Sequence, residues 1–502
     1  MDATPNYRVG NLVYTKRGLL SLFLWLIWFD FCFQLMEMVI PPVLQFRLKN
    51  DLKADAFLFT LFMSILPAII NFILAPIISI KSDRHRGPRG RRIPFLLYGA
   101  PVACISLVFL AFGNEIAAWI QNMFLPGHSV DSVTVWTFGS LFLVFTVSNV
   151  FLGTTFYFLF NDVVPESHFI KFTAYMRAAY TLAQMVFSWF IYGYLTYWGP
   201  LNINLRFFEF HATNFWYPKL ILIGTAIFYM VAATLALLNI KEPEYPPPPP
   251  LGEGEGFWAR TGNTMRTLFM ECFSHRFYVI YFITCVAMWM SFQMGIFMNP
   301  MRKDVGMDLM LLGKIGAGTG FIGLILALLT AKYGSRYRPL PLMIFALSLQ
   351  VATSLIAWLF LMPGRSPMFY MGVEVGRSLL NLPVLVLFSV ADSALPMSLL
   401  PRDRYGQFCA AQSMLRMILG QFIGGLLAGW LMRTLENHFG SYALRFAFVW
   451  STLFQALALG CYLVLYREWQ RLGGKESFRP PPVGQSFDNS DQSNNKAHVE
   501  AT

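Results

Sequence analysis

Six ionisable residues stand inside long apolar stretches: Asp30, Glu37, Arg177, Glu374, Arg377 and Arg416. A charge buried in hydrocarbon is expensive, so each is either paired or used. Asp30, Gln34 and Glu37 follow at spacings of four and three and share one face of a helix. A carboxyl on such a stripe can take and release a proton, because desolvation favours the neutral acid and a nearby guanidinium favours the charged one. Asp30 is the first candidate for that proton and Glu374 the second. The plain alternative for each is a permanent ion pair between helices. Gln34, Glu37, Asn71, Ser148, Asn149 and Arg377 are the candidate lining of a polar cavity. Neutral amides and hydroxyls can bond a polar solute without titrating. Arg177 and Arg416 fall near one end of their stretches, where a salt bridge with Asp162 or Asp392 would suit a gate.

Other patterns carry no chemistry. Gly318-Thr-Gly-Phe-Ile-Gly323 matches GxGxxG, but it lies within an apolar helix with no strand before it, so no dinucleotide site is expected. Gly316 with Gly320, and Gly420 with Gly424, read instead as places where helices pack closely. The seven histidines have no ligand spacing, and the six cysteines stand singly, so neither a metal nor a disulfide framework is indicated. No nucleophile, base and orienting partner can be assembled, so neither enzyme activity nor a cofactor is expected.

The elements that hold these residues are membrane spans. Of 502 residues, 56% are hydrophobic and 13% charged, about half the charge of a soluble domain. A bilayer is crossed by roughly 20 apolar residues in a helix. Twelve stretches qualify: 19–41, 56–80, 93–113, 134–160, 172–197, 219–240, 276–299, 311–332, 341–362, 368–390, 408–432 and 443–466. The net charge of +11 sits mainly in alternate loops, as orientation in a membrane demands, and does not imply nucleic acid. Cytoplasmic N- and C-termini put Lys81, Arg84, Arg86, Arg89, Arg91 and Arg92 on the cytoplasmic side. The first span is too long for a cleaved signal, so it should remain as a helix.

Residues 241–275 form a cytoplasmic linker, with Pro246 to Pro250 and the run Gly252-Glu-Gly-Glu-Gly256, followed by an interfacial amphipathic helix over 257–273. Residues 1–240 and 276–466 are then two six-span bundles. Residues 467–502 form a tail, polar and disordered after about Gly473. The bundles echo each other: Val163-Val-Pro-Glu-Ser-His-Phe-Ile-Lys-Phe-Thr-Ala174 aligns with Leu399-Leu-Pro-Arg-Asp-Arg-Tyr-Gly-Gln-Phe-Cys-Ala410. Pro165 meets Pro401, Phe172 meets Phe408 and Ala174 meets Ala410 at one offset. Duplicated halves are the usual build of a secondary transporter.

After the second span the chain reads Ser82-Asp-Arg-His-Arg-Gly-Pro-Arg-Gly-Arg-Arg-Ile-Pro94. This loop resembles the signature between helices 2 and 3 of the major facilitator superfamily, in particular the branch of glycoside, pentoside and hexuronide cation symporters and plant sucrose transporters. The resemblance implies an all-α integral membrane protein, twelve transmembrane helices in two pseudo-symmetric bundles. It also implies a cytoplasmic latch at Asp83, Arg84, Gly90, Arg91 and Arg92. Sodium-coupled members carry two aspartates in helix 2, where this chain has Asn71 and Ala75, so sodium is disfavoured. Sucrose transporters carry an acid in helix 4, where this chain has Thr146, Ser148 and Asn149.

The expected activity is alternating-access transport of a sugar or glycoside with a proton, by a monomer in the lipid of a plasma membrane. The rival readings are a carrier of an amphipathic, lipid-like solute, an uncoupled facilitator, and a transporter-like sensor.

Overall fold

The computed structural model describes residues 7–9, 11–165, 168–205, 208–245, 272–273, 275–333, 338–401 and 405–481. All twelve expected spans are helical. They are α1 (Lys16–Asp51), α2 (Ala56–Arg84), α3 (Ile93–Ala111), α4 (Val130–Val163), α5 (Phe169–Val186), α6 (Pro218–Asn239), α7 (Arg276–Asp304), α8 (Leu309–Tyr333), α9 (Pro339–Leu361), α10 (Pro367–Leu399), α11 (405–439) and α12 (Ala447–Arg471). Their starts follow local rules. Thr15 and Ser129 accept backbone N–H bonds at the N-termini of α1 and α4, Ser366 does so for α10, and prolines occupy the first turn of α3, α6, α9 and α10. π-helical turns interrupt α1 at Phe46–Asp51, α2 at Leu61–Ile65 and α11 at Arg416–Ile423.

Packing repeats between the two sets of six. In the first set α1 packs on α5 and α6, and α3 packs on α4 and α6. In the second set α7 packs on α11 and α12, and α9 packs on α10 and α12. These four contacts of the first set thus recur six spans later. The matched phenylalanines do equivalent work. Phe172 is buried with its ring centroid 4.9 Å from Phe23 of α1, and Phe408 is buried with its ring 4.6 Å from Tyr278 of α7. α3 and α6, which pack together, both carry small buried residues, Ala100, Ala103 and Ala111 on one and Ala226, Ala233 and Ala236 on the other.

The chain condenses into two compact units that are not simply its halves. One comprises Met1–Pro249, Ile296–Leu324 and Gly429–Leu444. The other comprises Pro250–Gly295, Ile325–Ala428 and Arg445–Thr502. The far end of α7, the first part of α8 and the end of α11 therefore belong with the first six spans. Within that unit Gly313, Gly316 and Gly320 of α8 lie against Ser188 and Met185, just as small-residue spacing predicts. In the second unit Gly420 and Gly424 lie against Trp289 and Gln293 of α7.

Three features depart from the sequence reading. Two antiparallel hairpins interrupt the helices: Tyr7–Val9 with Leu12–Tyr14, and Trp198–Leu205 with Phe208–Trp216 between α5 and α6. The second is clasped to α1, because the Arg47 guanidinium lies 5.8 Å from the Trp198 ring and 5.7 Å from that of Trp216. The tail is ordered further than expected: Phe478 packs on Phe277 and Trp469, and the Tyr278 hydroxyl donates to the Pro481 carbonyl at 2.7 Å. Aromatic burial outweighs the polar composition there. The interfacial helix expected over 257–273 and the tail beyond 481 lie outside the described residues, apart from 272–273.

Candidate functional site

Two polar clusters form within the first unit. The deeper one is built on α1. Asp30 is 2% exposed and accepts a bond from Gln34 Nε2 at 3.3 Å, one turn away. Half-buried Glu37 accepts from Asn149 Nδ2 of α4 at 2.7 Å. Tyr157 of α4 and Arg177 of α5 lie within electrostatic reach of Asp30, and Tyr157 also of Glu37. Arg177 and Tyr157 are both exposed. The cluster is therefore a pair of acids with an exposed arginine and tyrosine nearby. The structure joins Asp30 with Gln34, and Glu37 with Asn149. Ser148 and Asn71 are not joined to it: the Ser148 hydroxyl bonds Val144 of its own helix at 3.2 Å, and among the described residues no hydrogen bond links Asn71 to the acids.

The second cluster lies where α2, α3, α4 and the chain after α6 meet. Asp162, near the end of α4, accepts from Arg91 Nε at 2.9 Å and from Arg92 Nε at 3.1 Å. Arg92, 3% exposed, also donates to Ser82 and Asp83, and it lies 4.8 Å from the Phe158 ring. Gly90 turns the chain at φ +102°, a conformation open to glycine, and a Cβ there would strike Glu242. Glu242 accepts three backbone N–H bonds, from Arg91 and Arg92 at 2.8 Å and from Ile93 at 2.6 Å. Its carboxylate thus caps the positive end of α3. The Arg91 guanidinium sits 4.0 Å over the Tyr245 ring. Partial burial works against the Arg91 charge, but the Asp162 carboxylate outweighs it and holds the guanidinium above its ordinary range. Burial, then the charges of Asp162 and Glu242, hold the Tyr245 phenol above its usual value.

This cluster gathers Asp83, Gly90, Arg91 and Arg92, with Arg84 in the last turn of α2. It corrects the partner assigned to Asp162. That carboxylate is held by Arg91 and Arg92, not by Arg177, which is exposed and lies within electrostatic reach of Asp30 instead. The reason is reach: two guanidiniums on adjacent residues both meet one carboxylate at the end of α4. Glu242 and Tyr245 were missed as site residues. An acidic residue immediately after α6, followed by Pro243, was the available signal.

In the second unit Arg377 of α10 grips Glu374 one turn away, through Nη2 at 2.8 Å and Nε at 3.2 Å, with Glu374 1% exposed. Both groups lie on α10, so this pair does not tie two helices together. Arg416, at the start of the π-helical turn of α11, lies 3.6 Å from Asp392 of α10.

A third set of charges was not foreseen. Within the first unit, the ends of α1 and α2 are tied to 296–304 and 429–444 by ion pairs. Lys49 meets Glu436 at 2.6 Å, Asp51 meets Lys303 at 2.8 Å, and Asp55 meets Arg433 at 3.1 Å. Asn50 also donates to the Pro300 carbonyl at 3.0 Å.

With this geometry in place, the comparisons fix the class. The Major Facilitator Superfamily pattern matches residues 26–425, and the chain belongs to that family. It is a multi-pass membrane carrier and not an enzyme. No curated protein sequence matches it. Among solved structures it is similar to a bacterial homologue of the human lysosomal transporter Spinster, with 13% identity, TM-score 0.60, and 91% of this chain and 99% of that one covered. It is also similar to the nucleoside transporter NupG, with 12% identity, TM-score 0.56, and 89% and 99% covered. A D-xylose–proton symporter gives 13% identity, TM-score 0.55, and 89% and 97% covered. At such identities the likeness is one of fold.

Proposed function

We propose that this chain carries a sugar or glycoside across a cell membrane by alternating access, with a proton exchanged at Asp30. The observation that carries this reading is the environment of Asp30: buried, bonded to the neutral amide of Gln34, and close to Arg177 without touching it. An amide can donate to a carboxylate or accept from a carboxylic acid, so it suits both protonation states. Glu374, buried on α10 beside Arg377, is the second candidate.

Gln34, Glu37 and Asn149 supply the donors and acceptors a hydroxyl-rich solute needs, and Tyr157 offers an exposed ring for a pyranose face. Asn71, Ser148 and Arg377 remain candidates for solute contact. The loop carrying Asp83, Arg84, Gly90, Arg91 and Arg92 supports the glycoside and sucrose branch and acts as a cytoplasmic latch. Asp162 anchors that latch, and Arg416 with Asp392 gates the second half. Both termini face the cytoplasm, and the monomer is the working unit.

The test is uptake into proteoliposomes under an imposed pH gradient, screened over mono- and disaccharides, nucleosides and lysolipids. Asp30→Asn should abolish uphill accumulation while solute exchange at equal pH persists within several-fold. Unchanged accumulation would remove Asp30 from the mechanism, and competition by lysolipids alone would replace the sugar by an amphipathic solute.

A further inference from the structure

Beside the latch lies a cavity of about 730 Å³, bounded by the loop after α2, the start of α3 and the chain leaving α6. Such a volume falls within the range of small-molecule sites. Its wall has two kinds of surface. Arg86, Arg89 and Lys241 give it a basic side, while Leu237, Leu238 and Ile240 give it an apolar floor. Arg89 and Lys241 are exposed, and neither makes a hydrogen bond or ion pair among the described residues. Glu242 also borders the cavity, but its carboxylate is committed to three N–H groups of α3. Glu244 is the opposing charge on the rim.

The cavity shares Leu238 with an exposed apolar stripe on α6. On α6 the exposed residues Ile227, Val231, Leu235 and Leu238 follow at spacings of four, four and three. On α3, which packs against α6, Tyr98, Val102, Ile105 and Phe109 do the same at four, three and four. Both stripes are exposed, and that of α6 ends at Leu238 in the cavity wall. A basic pocket at the end of an exposed apolar stripe on a membrane-spanning helix has the two chemistries of a phospholipid in the right order.

We propose that this cavity binds the headgroup of an anionic phospholipid, its phosphate held by Arg89 and Lys241 with Arg86 nearby, and its acyl chain lying along the α3–α6 seam. Because Glu242 belongs both to the cavity wall and to the cap of α3, an occupied cavity adjoins the latch directly. The inference rests on the membrane-spanning fold and not on the sugar or proton reading, so either can fail alone.

The experiment is native mass spectrometry of the full-length protein released from detergent, titrated with dioleoylphosphatidylglycerol, with phosphatidylcholine and inorganic phosphate as separate arms. Wild type should retain phosphatidylglycerol. The double variant Arg89→Gln with Lys241→Gln should retain it on the order of thirtyfold more weakly, from two lost charges near an anionic lipid. Arg365→Gln, which removes an exposed charge elsewhere, should bind as wild type does. Equal retention by the double variant, or equal retention of phosphatidylcholine, would overturn the proposal. So would displacement of the lipid by an equal concentration of inorganic phosphate, which would give the site to a soluble ligand. Should the double variant unfold, photolabelling of wild type with a diazirine-tailed phosphatidylglycerol decides: labels on α3 and α6 near the cavity support the site, and labels elsewhere refute it.

Discussion

Asp162 is the residue on which the polar cluster between α2 and α4 depends. It accepts from two guanidiniums, one of them buried, so its removal leaves Arg92 with less compensation for its lost water. Breaking a buried pair costs about 3–5 kcal/mol, and this partly buried one should cost about 2 kcal/mol. Asp162→Asn should therefore lower the thermal midpoint of the purified protein by several degrees. Arg177→Gln should leave that midpoint nearly unchanged, because Arg177 is exposed and makes no contact with Asp162. Equal effects of the two variants would restore the pairing that the sequence suggested. That pairing shows what a sequence conceals at this scale. Asp30, Gln34 and Glu37 were legible because they lie on one helix, where spacing fixes their neighbours. The partner of Asp162 was not, because it sits 70 and 71 residues away. Glu242 was still harder to see, since its value lies in backbone N–H groups that any residue would provide.

Elements follow the sequence more closely, since hydropathy is carried by each residue in turn and a span needs no distant partner. All twelve helices appear where apolar runs predicted them. The hairpin at 198–216 was overlooked although Leu201-Asn-Ile-Asn-Leu205 alternates with period two, the signature of a strand. The start of α7 carries a pH-dependent cap. His275 Nδ1 accepts from the Phe277 N–H at 3.1 Å, which requires a neutral ring nitrogen. Burial pushes its pKa below the ordinary imidazole value, with Glu468 opposing in part. A depressed imidazole pKa contributes stability that is present above the ordinary value near 6.5 and is lost as pH falls toward the lowered one. Hydrogen exchange over 276–282, corrected for intrinsic rates, should accelerate between pH 7.5 and 5.5. His275→Asn keeps a capping side chain without a titrating group, and should remove that dependence. Persistence of the effect in the variant would exclude the cap as its cause.

At the scale of the molecule, an alternating-access carrier must part whatever ties the ends of α1 and α2 to 296–304 and 429–444. Three ion pairs do so, and only Lys49 among their cations is deeply buried. The exposed Arg433–Asp55 pair should add little. Glu436→Gln should shift the balance toward the state open at that end by about 1–2 kcal/mol, a five- to thirtyfold change in population. Spin labels on α2 and the end of α11 would report it as a longer distance population, and an unchanged distribution would show that Lys49–Glu436 is not the tie. The partly duplicated packing scheme, with the α1–α5, α1–α6, α3–α4 and α3–α6 contacts recurring six helices later, fits a duplicated transporter.

The clasp of Trp198 and Trp216 on Arg47 gives this carrier a handle on α1. A fluorophore at exposed position 211, or an antibody fragment raised against that ribbon, would ride with the first helix and follow its tilt in real time. A binder bulky enough to wedge against the neighbouring surface would act as a brake, slowing turnover from outside the pathway while leaving solute affinity untouched.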